Sequence, residues 1–454
     1  MKKNEESNAN ITPSKKKWWN RNLSSEERKL IEEDSKYFLH QCLSTPVLTV
    51  LSKCHGIYIE DLQGKQYMDF HGNSVHNVGF SNLEVIKAIK SQLDKPLTFC
   101  TRRYTNLPAI KLAKKLAKIT PGDLNKSLFC TGGSDAIEIA LKLARVTTHR
   151  FKTISYWDAF HGASFGSISV GGDKLFRGNL GPLLPGTIHI EYPQYYRNSF
   201  GYKKEEDIDK VYLEQIERIF EREPDISAFI GEPLRVGPFL PTKNYWEGVR
   251  KICDEHGTLL VFDEIAVDFG RTGKMFACEH YVTPDILVYG KAFGGGILPF
   301  AGIIAREDLD MAETKNRALG HYTHEKNPLC CAAALATIEY IEKYKICKHA
   351  AEIGEYAMKR LNEMKDCHQI IGNVGGKGLL IGIELVKYRD AKEKATKEAE
   401  MVMYKCLEKG LSFDTTMGNM LALIPPLIIT REEMEKALNI LEESVDEVER
   451  GLGY

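Results

Sequence analysis

From residue 126 to about 305, short apolar runs alternate with longer stretches whose apolar residues recur every three or four positions. The runs fall at 127–130, 152–156, 187–190, 228–231, 259–263, 286–289 and 301–304. Runs of this length without polar alternation suit strands buried on both faces, and strands joined through helices tend to lie parallel. The pattern predicts an α/β fold: a large domain with a mostly parallel seven-stranded sheet between helices. Upstream, "SSEERKLIEEDSKYFLH" (24–40) reads as a helix capped by Ser24 or Ser25. "IYIEDLQGKQYMDF" (57–70) alternates about Gln63-Gly64 and predicts a hairpin. "EVIKAIKSQL" and "AIKLAKKLAKI" have the helical period, and a long helix is expected over 329–343. Past 345, charged helical stretches surround a few strands (379–386, 421–423), as in a small α+β domain. The expected organisation is a mobile polar tail over 1–16, a segment over 17–90 that packs with the small domain, a large domain over 91–344 and the small domain over 345–454.

Composition narrows the function classes. The 454 residues are 43% apolar and 27% charged, with a formal net charge of −1. That balance argues against nucleic acid or an anionic membrane as the main partner. No apolar run approaches the roughly 20 residues of a membrane span. The basic start, "MKKNEESNANITPSKKKWW", has no apolar core, so a secretory signal is not expected there and the cytoplasm is the expected location. Eleven cysteines are scattered without Cys-x-x-Cys or zinc spacing, so reduced core thiols and no metal are expected.

Ligands of such sheets bind at strand ends. "LFCTGGSDAIEIALKLA" (128–144) is a strand, a glycine turn and a helix, and Gly132, Gly133 and Ser134 present backbone N–H groups as a phosphate seat. "LLVFDEIAVDFGRTG" (259–273) ends an apolar strand in two acids. "SYWDAFHG" (155–162) sets aromatic rings and a histidine before a glycine. "DILVYGKAFGGG" (285–296) places Lys291 after an apolar strand and before three glycines. Each has an ordinary alternative: a connecting turn, a helix-capping acid, a core ring, a lysine snorkelling from a strand end. Together a phosphate seat, a ring clamp, an acid for a ring nitrogen and an amine for an aldehyde describe a pyridoxal 5′-phosphate site.

The set "GGSDAIEIALKLAR", "AFHG", Glu232-Pro233, "CDEHGTLLVFDE…FGRTGKMFA", "GKAFGGG" and "NPLCCAAALA" resembles the class III, or omega, aminotransferases, over roughly residues 45–445. These are fold-type I pyridoxal phosphate enzymes. The resemblance implies a Schiff-base lysine and proton shuttle at Lys291, a pyridine-nitrogen partner at Asp263 and a stacking ring at Phe160. It also implies a phosphate loop at Gly132, Gly133 and Ser134, with His161 and Glu232 as supporting residues. Thr323, in "HYTHEKNP", matches a threonine that reaches the phosphate from a neighbouring subunit, which implies a homodimer with its sites at the interface.

Departures from the family pattern bear on the substrate. After "DE" most members carry Val-Gln-Thr-Gly; here Ile265, Ala266, Val267 and Asp268 follow. Arg235, Val236 and Gly237 replace a usual Gln-Gly-Glu, and Ala422 stands where an arginine commonly precedes Pro-Pro-Leu. A planar arginine fork is the standard grip on an α-carboxylate, and losing such a contact costs about 1.5–3 kcal/mol. Arg235, Lys326 and Arg103 are the candidate cations for a phosphate or phosphonate instead, with a surface ion pair as the ordinary alternative for each. "MDFHGNSVHNVGFSNLEVIKAI" resembles a branch of the family that holds amine-phosphate and phosphonate lyases. The expectation is amino transfer from a small amine or amino acid to an oxo acid or aldehyde, with elimination of ammonia from an amino-alkyl phosphate or phosphonate as the alternative.

Overall fold

The computed structural model describes residues 12–42, 44–235, 237, 239–310 and 318–454. The chain divides into two compact units, one of residues Leu83–Arg235 and Phe239–Cys347, the other of Met1–Asn82, Val236–Pro238 and Lys348–Tyr454. The amphipathic helix Leu83–Leu93 thus falls in the first unit, so the division comes at 82/83 rather than at 90.

The seven-stranded sheet of the first unit has strands β1 (Leu124–Cys130), β2 (Lys152–Tyr156), β3 (Thr187–Ile190), β4 (Ile226–Gly231), β5 (Leu259–Asp263), β6 (Ile286–Tyr289) and β7 (Ala301–Arg306). Their order is β1-β7-β6-β5-β4-β2-β3. β3, β2, β4, β5 and β6 pair in parallel, and β7 pairs antiparallel with both β6 and β1. Every residue of β4, β5 and β6 is buried, as runs without alternation require. Helix Gly133–Thr148 covers one face, packing Ile137, Ala140 and Leu141 against Val261, Val288 and Ile303. This topology brings the residues that follow Cys130, Tyr156, Gly231, Asp263 and Tyr289 to one edge, because these strands all point the same way.

The second unit holds two four-stranded sheets. One joins Leu51–His55, Tyr58–Asp61 and Gln66–Asp69 to Leu411–Ser412; the other joins Ile371–Lys377, Leu380–Leu385, Met420–Leu423 and Asp414–Thr416. The hairpin at Gln63-Gly64 pairs Tyr58 with Met68 and Glu60 with Gln66. Helix Ser25–Tyr37 starts with a capping box between Ser24 and Glu27. Part of the stretch expected to be a mobile tail, residues 1–11, lies outside the described residues. The rest corrects the expectation: Pro13–Asn22 is a helix whose N-cap, Thr12, accepts the Lys15 N–H at 3.1 Å. Trp18 gives it a reason to dock, being 2% exposed, and Pro at the first helical position is preorganised for the start.

Candidate active site

Asp263 ends β5 and is buried. Its Oδ1 accepts the Ile265 N–H at 3.1 Å, and its Oδ2 lies 2.7 Å from His161 Nδ1. A carboxylate can only accept, so Nδ1 carries the proton of this bond. His161 Nε2 is buried too and has no hydrogen-bond partner among the described residues. Strand β2 delivers His161 through the turn after Tyr156, and β5 delivers the acid from the end of a strand two places across, with β4 between them. The pairing was not foreseen from the sequence, where the histidine was only a supporting residue.

Lys291 begins the turn after β6. Water reaches its side chain, yet enough protein surrounds it that burial pulls its amine below the ordinary lysine value. Asp263, Glu232 and Asp268 pull it back up. A lysine so placed holds more of its amine as the free base, the form that attacks an aldehyde. Asp268 was missed as a site residue. The signal was available in "DEIAVD": a third acid where the family pattern has glycine.

The glycine turn lies where the sequence placed it. Gly132 caps helix Gly133–Thr148, and Ser134 Oγ accepts the Ala163 N–H at 2.9 Å. A methyl on Gly133 would come within 2.9 Å of Ile265, and one on Gly290 within 3.5 Å of the same side chain. Ile265 thus sits between the glycine turn and the Lys291 turn, two residues after Asp263. The Phe160 ring is 43% exposed and touches Phe176 at 4.3 Å between centroids, leaving ring surface for a planar ligand.

Of the two readings of Arg235, an ion pair or a grip on a substrate anion, its contacts match the ion pair. Its Nε lies 3.2 Å from Glu232 Oε2, Nη1 donates to the Trp157 carbonyl at 3.3 Å and Nη2 to the Asp158 carbonyl. Its guanidinium also rides 5.2 Å from the Tyr192 ring. Burial pushes the Glu232 carboxyl up, and Arg235, His161 and Lys291 oppose that. Val236, beside Arg235, lies outside the described residues.

Among the described residues, no hydrogen bond or ion pair joins Thr323, Lys326 or Arg103 to this group. Thr323 and Arg103 are exposed and Lys326 is half-buried. Asn106 Nδ2 donates to the Lys326 carbonyl at 2.8 Å, and the Phe99 and His324 rings meet edge-on at 5.4 Å. The segment with Arg103 therefore runs beside the turn with Thr323 and Lys326.

The class III aminotransferase family model matches residues 41–445. The chain belongs to that family. An (R)-1-hydroxy-2-aminoethylphosphonate ammonia-lyase of Vibrio splendidus is 42% identical, over 99% of this chain and 96% of its own. A leucine/methionine racemase of Thermococcus litoralis is 38% identical over 94% of this chain and 97% of its own. A thermostable omega transaminase variant of Pseudomonas jessenii superposes with a TM-score of 0.88 at 28% identity, covering 94% of this chain and all of that one. The class III chain is an enzyme with the fold of a fold-type I transaminase, and its cofactor is pyridoxal phosphate. The residues fit that group: an accessible amine of lowered basicity, a buried acid, an exposed ring face and a helix N-terminus built on glycine.

Proposed function

We propose that this class III enzyme is an ammonia-lyase for a small amino-alkyl phosphonate or phosphate. The observation that carries the reading is the 42% identity, over 99% of the chain, to a hydroxyaminoethylphosphonate ammonia-lyase. Ala422 agrees with it. Where the family pattern has a carboxylate-gripping arginine, this chain has a buried methyl inside strand Met420–Leu423.

In this reading Lys291 would hold the cofactor through its aldehyde, and its amine would move a proton from the substrate's amine-bearing carbon. Asp263, oriented by His161, would meet the ring nitrogen, Phe160 would offer its ring face, and Gly132, Gly133 and Ser134 would hold the phosphate. Glu232 supports the group through Arg235. Pyridoxal phosphate, once bound, supplies the sink for the electron pair left at that carbon. Loss of a hydroxyl from the next carbon, with a proton, would release one water and the later hydrolysis would consume one, so an amino alcohol would yield an aldehyde and ammonia with no co-substrate. With Arg235 engaged, Lys326 and Arg103 are the cations assigned to the phosphonate. Their patch carries exposed Phe99, Tyr104 and Leu107, which suits a face covered by a second copy. Thr323 then serves the partner's site in a homodimer, in the cytoplasm.

Amino transfer is the second reading, supported by the family model and the transaminase-like structure. The two separate cleanly. With 1-hydroxy-2-aminoethylphosphonate and no oxo acid, a lyase releases ammonia over many turnovers and keeps its cofactor spectrum. A transaminase stops after one equivalent with the cofactor in its amine form, and that result would sink the proposal.

A further inference from the structure

Lys291 has a left-handed backbone, φ +41°. A side chain in that region costs about 1–2 kcal/mol and persists only where its surroundings enforce it. Two contacts enforce it here, one on each side, and both come from adjacent residues of the turn after β5. Asp268 Oδ2 accepts the N–H of Gly290, immediately before the lysine, at 3.1 Å. The Phe269 ring stacks on Phe293, two residues after the lysine, at 5.3 Å and 11°. Asp268 is 1% exposed, and its own N–H donates to the Glu264 carbonyl at 2.9 Å. Glu264 is fixed in turn: its carboxylate accepts the Ala277 and Cys278 N–H groups at 2.5 and 2.7 Å. The chain of bonds runs from the 277–278 turn through Glu264 and Asp268 to the corner that carries the lysine.

We propose that Asp268 is the positioning residue for Lys291, gripping its corner through the Gly290 amide. The proposal rests on Lys291 being the cofactor lysine. Glycine, the residue the family pattern has at this place, cannot make this bond. Burial, Glu264 and Asp263 raise the Asp268 carboxyl, and the Gly290 amide and Lys291 oppose that; the bond needs only an acceptor oxygen, which the acid and the carboxylate both offer.

The test is capture of pyridoxal phosphate by the apoenzyme, followed as growth of the visible absorbance band against pH. Asp268→Asn keeps an oxygen for the Gly290 N–H, and its plateau rate at high pH is expected within about threefold of wild type. Asp268→Gly removes the acceptor, so its plateau should be at least about tenfold below that of D268N. A D268N plateau tenfold or more below wild type overturns the proposal, whether or not D268G folds. So does a D268G plateau equal to that of D268N. Lys291→Ala is the control: if it captures the cofactor as wild type does, the reading of Lys291 fails, and that failure is distinct from the failure of Asp268.

Discussion

Removing Arg235 should expose how strongly the site depends on a compensated acid. Glu232 and Arg235 lie 3.2 Å apart with side chains 19% and 12% exposed. Two unit charges at that distance attract by about 5 kcal/mol at an effective dielectric of 20. Desolvation of the pair offsets much of this. Deleting only the cation, however, leaves a poorly hydrated carboxylate, and such losses run to roughly 3–5 kcal/mol. Partial exposure puts Arg235→Ala at the low end, about 3 kcal/mol. In a unit of this size that lowers the melting temperature by roughly 5–6 °C, taking about 2 °C per kcal/mol. The sign of the pH dependence follows from burial, which already raises the Glu232 carboxyl against the pull of Arg235. In the variant the folded-state pKa rises further above the unfolded value. Such a group does not weaken the fold below the unfolded pKa, and it does so increasingly as pH climbs through the folded one. The deficit should thus be small near pH 4 and complete by pH 8. Glu232→Gln in the same chain should recover most of the pH 8 loss, because an amide needs no counter-charge. Melting curves by differential scanning fluorimetry across that range decide it. Equal deficits at both ends, or no recovery in the double variant, would refute the electrostatic account and leave only the bonds to the Trp157 and Asp158 carbonyls.

Two further outcomes follow from the same turns. Gly162 has φ +125°, and a methyl there would lie 2.5 Å from Ser134 Oγ and 2.9 Å from its Cα; Gly162→Ala should cost at least about 1–3 kcal/mol, and an unchanged melting temperature would show that the turn adapts freely. His161→Ala leaves Asp263 Oδ2 without its 2.7 Å partner; losing a hydrogen bond to a charged group, about 1.5–3 kcal/mol, should weaken cofactor retention on dialysis by tenfold or more, and retention equal to wild type would remove His161 from the site.

The seven strands of the large sheet were legible because burial on both faces leaves an unbroken apolar signature, as in "LLVF" and "ILVY". Hairpin and capping signals worked equally well at Gln63-Gly64 and Ser24, where a local bond fixes the geometry. The helix Pro13–Asn22 was read as tail up to residue 16 because the side chains it buries are Lys15 and Trp18, one of them charged, which make no apolar period. The four-stranded sheets of the other unit were seen only in part. Leu411–Ser412 pairs in parallel with Met68 and Asp69 more than 300 residues away, and two residues carry no alternation to read.

The site shows the same division between local and distant causes. Asp263 ends a strand and Lys291, Gly132, Gly133 and Ser134 come within four residues of one, so predicting the strand located them. Arg235 stands near a strand end as well, but its ion-pair and anion-binding readings could not be separated in sequence. Whether an arginine is available to a ligand depends on which carbonyls and acids converge on it, and here they come from another strand end, at Trp157 and Asp158. Asp268 is the converse. It was noticed as a departure from pattern, but an acid five residues after a strand has no evident partner in one dimension. Its partner, the Gly290 amide, is 22 residues away and is reached only because β5 and β6 are neighbours. A sequence shows where a strand ends and which residue types crowd there; which of them neutralise one another is decided by strand order, and in this chain that order separates a committed arginine from an aspartate in reach of Lys291.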